Sequence, residues 1–271
     1  RNKMIEITSL KNPIIKEIRS LKNRNDREEK GLYFIEGDRF VDEALALREK
    51  AGIRYVVVSD SFLADDSHRT ILESLKNITA DSYIVPDSLF TAVSDTRTPQ
   101  GILAVLEIKR LQLKDAAFTG GLVVILEDIK DPGNMGAIIR TADAAGCECV
   151  IVPDGCVDVY NPKVLRSTMG SAFHIPILHC GGLEEAAGIT SSNGYKLYVS
   201  HLEGAVSIYD ADFTGRIALV IGSEAQGISP ETEKKSDLLI KIPMAGGAES
   251  LNASVAAGVM IFEAMRQRLY R

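Results

Sequence analysis

The first half of the chain alternates between helix-like and strand-like patterns of apolar positions. After Pro13, the side chains of Ile14, Ile18 and Leu21 recur at helical spacing with basic residues on the other face, which predicts a basic helix. A polar stretch, NDREEKG, then leads into a strand at YFIEG. The pattern further predicts helices over 39–49 and 69–75 and strands over 55–58, 83–85 and 101–106. One compact α/β/α unit follows from this alternation.

The second half carries five longer apolar runs separated by helical patterns. Runs of this kind indicate strands buried on both faces, as in a parallel sheet, and they lie at 122–126, 149–152, 196–199, 217–221 and 238–242. We therefore predict a doubly wound α/β domain over 121–271, preceded by a linker at 111–120 and a first domain at 1–110. In the last helix we expect one apolar stripe to face the core: Val255, Val259, Phe262 and Leu269.

Composition and charge narrow the class of protein. The 271 residues are 45% hydrophobic and 25% charged, which is typical of a globular chain, and no apolar run approaches the roughly 18 residues of a membrane span. We expect a cytoplasmic protein. The net charge of −6 argues against nucleic-acid binding through overall charge, yet Lys11–Lys30 holds seven basic and four acidic residues. This segment is either an RNA-binding surface or a solvated amphipathic helix.

Several common functional motifs are missing from the sequence. Neither the G-x-G-x-x-G dinucleotide loop nor the P-loop occurs, which disfavours a nucleotide-dependent oxidoreductase or a nucleotide hydrolase. The four cysteines do not form a disulfide framework for a chain of this length and suit a reducing compartment. Because Cys147 and Cys149 lack C-x-x-C spacing and no paired nucleophile motif accompanies the histidines, we predict neither a metal site nor a hydrolase triad.

Three strand ends in the second half carry unusual polar sequence. The first, DPGNMGAIIR, supplies a helix N-cap and then Asn134 and Arg140. The second, GSEAQG, places Glu224 between two glycines, and the third, PMAGGAESLNAS, brings Ser250 and Asn252 to the start of a helix. Each alone has a structural explanation: a surface arginine, an exposed glutamate in a glycine-rich connection, or an N-cap serine. Because ligands bind at the carboxyl ends of parallel strands, the three loops together predict one site.

These three segments, in this order and spacing, resemble the motifs of the SpoU (TrmH) family of RNA ribose 2′-O-methyltransferases. The intervening RSTMGSAFHIP is also similar to that family, so the match covers essentially all of 120–271. The first half, with YFIEG and TPQGILAV, resembles the ribosomal-protein-like substrate-binding domain of rRNA-modifying members. One departure is Ala253, where the third motif more often has valine.

The resemblance implies a SPOUT-type fold, in which a mainly parallel sheet is tied into a deep trefoil knot, beside a small N-terminal RNA-binding domain. It implies a homodimer formed through the knotted domain and a bound S-adenosylmethionine (AdoMet). The residues expected to bind the cofactor are Ser200, His201, Leu202, Leu219, Ile221, Gly222, Glu224, Ile242, Met244, Ser250 and Leu251. Catalysis is expected to involve Asn134, Arg140, Glu224, Ser250 and Asn252.

The implied reaction is methyl transfer to a ribose 2′-hydroxyl, on rRNA of the 23S type rather than on tRNA. The alternatives are a tRNA 2′-O-methyltransferase and a non-catalytic RNA-binding or ribosome assembly factor of the same fold. The family assigns a general base to the position of Arg140, but a guanidinium stays protonated, so we favour a phosphate or oxyanion clamp there. The residues expected to bind RNA are Lys11, Lys16, Arg19, Lys22, Arg24, Arg27 and Arg166.

Overall fold

The structure is a computed structural model that describes residues 4–47, 51–203, 206–223 and 227–270. Its contacts divide the chain into two units, each with its own sheet. Unit 1 comprises Arg1–Lys109 and Tyr160–Phe173, and unit 2 comprises Arg110–Val159 and His174–Arg271. Unit 1 thus takes a segment from the middle of the second half of the chain.

Unit 1 is an α/β unit built on a five-stranded sheet in the order β1-β4-β3-β5-β2. Strands β1, β4 and β3 are mutually parallel, and β5 runs antiparallel to β3 and β2. Its strands are β1 Ile5–Glu6, β2 Leu32–Glu36, β3 Ile53–Ser59, β4 Asp81–Val85 and β5 Ile102–Glu107. Its helices are α1 Pro13–Ser20, α2 Arg24–Lys30, α3 Asp38–Leu47, α4 Asp60–Ala64, α5 Arg69–Leu75, α6 Asp87–Val93 and α8 Pro162–Thr168.

Helices cover both faces of this sheet, because successive side chains of a strand point to opposite sides. Val56 and Val58 of β3 pack in one core with residues of α3, α5 and α8. Tyr55 and Val57 pack in a second core with residues of α1 and α6. The α/β/α arrangement predicted for the first half is therefore present, and α8 completes one of its layers.

Unit 2 holds an eight-stranded sheet in the order β11-β13-β10-β12-β7-β8-β9-β6, and each pair of neighbouring strands in it is parallel. Its strands are β6 Leu111–Gln112, β7 Leu122–Leu126, β8 Cys149–Pro153, β9 Ile177–Cys180, β10 Lys196–Ser200, β11 Val206–Ser207, β12 Ile217–Ile221 and β13 Leu238–Lys241. Its helices are α7 Pro132–Ala144, α9 Leu183–Ser192, α10 Pro230–Lys235 and α11 Ala253–Leu269. The prediction of an α/β fold with a large parallel sheet is confirmed.

The stretch predicted as a linker, 111–120, contains structured elements. Strand β6 pairs with β9, and the 3₁₀ turn after it buries Leu113 in the core of unit 2. No helix among the described residues is long and apolar enough to cross a membrane.

The polar stretch before β2 forms a second helix, α2, although it lacks an apolar stripe. Asn23 caps it, because its side-chain oxygen accepts the Asn25 N–H at 2.9 Å, and Gly31 ends it in the left-handed conformation at φ 63°. An ion pair between Arg24 and Glu28, one turn apart, adds a small further stabilisation. The basic segment Lys11–Lys30 is therefore two short helices, and the prediction of a single helix is wrong.

The prediction of which α11 residues face the core is also wrong. Val255, Phe262 and Leu269 are exposed and Val259 is half-buried, whereas the buried residues include three alanines: Ala253, Ala257, Met260, Ile261, Glu263 and Ala264. This face packs on α7. Small residues let two helices approach closely, and a prediction that followed the larger apolar side chains selected the opposite face.

Candidate active site

The polar loops predicted to form a site lie at one edge of the unit 2 sheet. Strand β12 pairs with β7 on one side and β10 on the other, and β10 pairs with β13. Since all four strands are parallel, their carboxyl ends meet at the same edge. The loops that follow them, which begin at residues 127, 201, 222 and 242, therefore share that edge.

A cavity of about 430 Å³ opens among three of these loops and the first turns of α11. Apolar residues line much of it, including Leu202, Ile221 and Met244, and two acidic residues, Glu203 and Glu249, line it as well. A volume in the range of about 300–1,000 Å³ with an apolar lining and a few polar groups is typical of a site for a small organic ligand.

Most residues predicted to bind the cofactor line this cavity. They are Ser200, His201, Leu202, Ile221, Gly222, Ile242, Met244, Ser250 and Leu251. Leu219 does not line it, because its side chain is fully buried within β12. Glu224 lies outside the described residues.

Gly222 is required where β12 ends. A Cβ at this position would lie 2.5 Å from the carbonyl oxygen of Gly227 and 2.8 Å from Cδ1 of Ile228. The loop closes on itself there, since the Gly227 N–H donates to the Ser223 carbonyl at 2.9 Å. Any side chain at 222 would therefore push the loop from its position beside the cavity.

Asn134 and Asn252 bring the first and third motifs into contact. Nδ2 of Asn252 donates to Oδ1 of Asn134 at 3.0 Å across 118 residues of sequence. Each lies at a helix start: Asp131 caps α7 by accepting the Asn134 N–H at 2.8 Å, and Asn252 caps α11 by accepting the N–H groups of Ser254 and Val255. The N-cap of α11 is thus Asn252, not Ser250, and Ser250 is one of the residues that line the cavity.

The structure does not bring Arg140 to the cavity. Arg140 lies on an exposed face of α7, six residues after Asn134, and is not among the residues that line the cavity. No hydrogen bond or ion pair engages its guanidinium in the described part of the chain. A guanidinium has five N–H donors, so Arg140 can donate to an anionic or oxygen-bearing ligand.

The sequence reasoning missed the contribution of α11 to the cavity. Ala253, Ala256 and Met260 line it from one face of this helix, and Gly227 and Ile228 line it beyond the second motif. The signal for the three α11 residues was present, because spacings of three and four residues place side chains on one helical face.

Five of the residues predicted to bind RNA are exposed in unit 1: Lys11, Lys16, Arg19, Lys22 and Arg24. Arg166, on α8 of the same unit, is half-buried and forms an ion pair with Asp95 at 2.9 Å. Arg27 is different. It is only 2% exposed, and its Nη1 donates to the carbonyls of Leu21 and Lys22 at 2.9 and 3.0 Å. The prediction that Arg27 binds RNA is wrong, because its guanidinium joins α1 to α2.

The cysteines are free thiols buried in unit 2. Burial raises the pKa of Cys147 and of Cys149 to about 12, so both are protonated and unreactive near neutral pH. No cluster of three or more metal-ligating side chains is found within the described ranges.

Comparison with known proteins identifies the family. Residues 121–262 match the SpoU rRNA methylase family, and residues 12–104 match the MRM3-like substrate binding domain. The 23S rRNA (guanosine(2553)-2′-O)-methyltransferase RlmP of Bacillus subtilis is 32% identical over 259 residues, which cover 96% of this chain and 98% of that protein. The chain belongs to the SpoU rRNA methylase family.

Solved structures of rRNA methyltransferases share the fold. An AdoMet-bound rRNA methyltransferase from Sinorhizobium meliloti superposes with a TM-score of 0.88 at 31% identity, covering 99% of each chain. The SpoU methyltransferase AviRb from Streptomyces viridochromogenes, in complex with the cofactor AdoMet, gives a TM-score of 0.87 at 28% identity, covering 96% of this chain and 99% of that one. The resemblance stated from the three motifs is confirmed.

Proposed function

We propose that this protein is an AdoMet-dependent RNA methyltransferase that transfers a methyl group to a ribose 2′-hydroxyl of 23S rRNA. The observation that carries the proposal is the hydrogen bond between Asn134 and Asn252 beside a cavity suited to a small organic ligand. This bond joins the first and third family motifs, and the second motif begins at Gly222, which lines the same cavity. The rRNA methyltransferases among the relatives support the choice of substrate.

The cavity residues fit AdoMet in size and in chemistry. An apolar lining suits the adenine ring, and the carboxylates of Glu203 and Glu249 complement a ligand with a cationic sulfonium and an ammonium group. Gly222 allows the loop after β12 to pass close to the ligand. When bound, AdoMet supplies the electrophilic methyl group.

The side chains at the site position the nucleophile. Methyl transfer requires the ribose oxygen in line with the methyl group, and holding two reactants in that geometry can supply about 7–11 kcal/mol of the barrier. We assign the holding role to Asn134, Ser250 and Asn252, with Glu224 as a further partner. Arg140 acts as the clamp on a phosphate or on the developing oxyanion, because a guanidinium is a cation with N–H donors and no acceptor.

Residues 1–110 serve as the RNA-binding domain, and residues 121–271 carry the transfer. The exposed cations between the residues before α1 and the start of α2 contact phosphates and give affinity without reading sequence: Lys11, Lys16, Arg19, Lys22 and Arg24. Arg166 belongs to the same domain in space. Charge reversal of Arg19, Lys22 and Arg24 weakens RNA binding and leaves AdoMet affinity unchanged.

The resemblance to the SpoU family supports three further parts of the proposal. The parallel sheet of unit 2 is tied into a deep trefoil knot, the protein forms a homodimer through that domain, and it acts in the cytoplasm. The homodimer gains support from α11, whose exposed apolar residues Val255, Phe262 and Leu269 form a face without a partner in the described single chain.

The test is methyl transfer from labelled AdoMet to unmodified 23S rRNA and, in parallel, to unmodified tRNA. The proposal predicts label in rRNA only. Label in tRNA only would identify a tRNA methyltransferase, and AdoMet binding without label in either RNA would favour an RNA-binding or assembly factor. A failure to bind AdoMet, measured by calorimetry, would contradict the assignment of the cavity.

A further inference from the structure

A three-residue turn in unit 1, Ser94–Thr96, is fixed by one buried carboxylate. Glu36, the last residue of β2, is 9% exposed. Its Oε1 accepts the hydroxyls of Ser94 and Thr96, both at 2.6 Å, and its Oε2 accepts the Asp95 N–H at 3.0 Å. Because each residue of the turn is bound to the same carboxylate, the turn is held in a single conformation.

Two cations from distant parts of the sequence bind this turn. Asp95 Oδ2 lies 2.9 Å from Nη1 of Arg166, and the Lys22 ammonium donates to the Ser94 carbonyl at 2.5 Å. The next residue, Arg97, is exposed. The turn therefore brings Lys22 and Arg166, which are 144 positions apart in sequence (166 − 22), to two adjacent residues, and the exposed Arg97 directly follows it.

Lys22 and Arg166 use only a few of their N–H donors to bind the turn. A guanidinium has five N–H donors and an ammonium has three, and the turn takes one from Arg166 and one from Lys22. The Arg166 side chain keeps 32% of its surface exposed. Arginine can bind a phosphate through two parallel N–H groups, and the ion pair with Asp95 restrains the Arg166 guanidinium at the turn. A phosphate is the ligand that such an arrangement suits.

We propose that Lys22, Arg97 and Arg166 form one phosphate-binding surface for RNA, and that Asp95 and Glu36 are positioning residues that hold it in shape. The proposal rests on the proposed function, because it names RNA as the ligand. It adds Arg97 to the RNA-binding residues and gives the turn a role. It also explains why α8, whose sequence lies within the methylase match, packs in unit 1 with Leu165 in its core.

Two substitutions at Asp95 distinguish a role in positioning Arg166 from a simple effect of the negative charge of Asp95 on RNA binding. Asp95→Ala and Asp95→Asn remove the same negative charge, but only the asparagine keeps an oxygen that can accept from Arg166. If Asp95 merely repels RNA, both variants bind more tightly and equally. If it positions Arg166, Asp95→Ala binds a 23S rRNA transcript about three- to tenfold more weakly than Asp95→Asn, a range expected for contacting residues. In the Arg166→Ala background, the two variants then bind equally.

Arg97→Ala tests the third cation. It weakens binding of the transcript and lowers the slope of log affinity against log salt by about one unit, the change expected for one phosphate contact. The matched control is Arg69→Ala, which removes an exposed arginine of α5 and leaves both quantities unchanged. The measured readouts are transcript Kd by filter binding, KM against kcat for methyl transfer, and AdoMet affinity as a check on folding.

The outcomes distinguish this inference from the proposed function. Equal Kd values for Asp95→Ala and Asp95→Asn, together with an unchanged Kd for Arg97→Ala, would contradict the proposed phosphate-binding surface. If the wild-type protein still methylates 23S rRNA, the proposed function is unaffected by that result. A wild-type chain that neither binds nor methylates the transcript would overturn both. For Asp95→Ala and Arg97→Ala, we expect an increase in KM for RNA with kcat and AdoMet affinity unchanged.

Discussion

The side-chain amide of Asn252 makes two sets of hydrogen bonds. Its Oδ1 accepts the N–H groups at the start of α11, and its Nδ2 donates to Asn134 at the other helix start. Only a side chain that carries its acceptor and its donor on separate atoms, as an amide does, can make both sets of bonds at once. The same residue therefore fixes the position of α11 and joins two motifs at the proposed site.

Asn252→Ser separates the capping of α11 from the hydrogen bond to Asn134. Serine is an N-cap about as good as asparagine, so the variant should lose no more than about 1 kcal/mol of unfolding free energy. It cannot reproduce the bond to Asn134, and we expect methyl transfer to fall about tenfold to a hundredfold, as small misplacements at an active site do. Thermal unfolding and kcat measure the two effects. Full activity in Asn252→Ser would show that the bond between the amides has no role in the reaction.

Met169 ends α8 in the left-handed conformation, with φ at 50° and ψ at 39°. Side chains other than glycine adopt this conformation at a cost of about 1–2 kcal/mol. Because Met169 is exposed and contributes little burial, Met169→Gly should stabilise the protein by up to about 1 kcal/mol after the extra entropy of unfolded glycine is subtracted. Met169→Ala keeps the unfavourable conformation and should give no gain. Denaturant midpoints compare the three, and a less stable glycine variant would contradict this interpretation.

At the level of elements, the sequence predicted strands best. The bounds of β7 and β12 agree with the apolar runs at 122–126 and 217–221, because a strand buried on both faces needs apolar side chains throughout. Helix α2 was missed because it is stabilised by a cap, a terminal glycine and charges rather than by an apolar stripe. The face of α11 was misassigned because the exposed face is also apolar.

That exposed face leads to a prediction about assembly. Phe262 is 43% exposed near the middle of α11, and a glutamate there would place a charge in the proposed homodimer interface. Phe262→Glu should shift the protein from dimer to monomer in sedimentation. The matched control, Leu63→Glu on α4 of unit 1, should leave the mass unchanged. A wild-type chain that sediments as a monomer would contradict the proposed dimer, and a dimeric Phe262→Glu variant would exclude this face.

The start of β7 depends on Glu148. Burial raises its pKa, but hydrogen bonds from Tyr195 and from the backbone N–H groups of Thr119 and Gly121 outweigh burial and hold the pKa below the ordinary value of 4.5. A carboxyl whose pKa is lower in the folded state stabilises that state above the unfolded pKa, and the contribution is lost as the pH falls through the folded pKa.

Glu148→Gln should therefore unfold more easily at pH 7, by about 1–2 kcal/mol because solvent screens a half-buried group. The difference from wild type should shrink as the pH falls below 4.5. Tyr195→Phe, which removes one donor, should show a smaller effect of the same sign. A difference between wild type and Glu148→Gln that stays constant from pH 7 to pH 3 would contradict the role of the ionised carboxylate.

At the scale of the whole molecule, the three motifs predicted the location of the site well. The division of the chain into two units was predicted less completely. Nearly all predicted cofactor residues meet at one cavity, because parallel strands bring their carboxyl ends together whatever lies between them in sequence. The placement of Tyr160–Phe173 in unit 1 depends on long-range packing of α8 with β2 and α3, which no local pattern reveals. Arg27 illustrates the same limit, since its guanidinium is buried against the carbonyls of Leu21 and Lys22 at the end of α1.

The most direct test of the central claim is where the methyl group resides after the protein acts on unmodified 23S rRNA with AdoMet. A 2′-O-methyl group makes the adjoining linkage resistant to alkali, whereas a methyl group on a base does not. We predict that mass analysis of the alkaline digest finds one methylated, alkali-resistant dinucleotide with the wild-type protein and none with Arg140→Ala. A methylated base with no resistant linkage, or full methylation by Arg140→Ala, would contradict the proposed reaction or the role of Arg140.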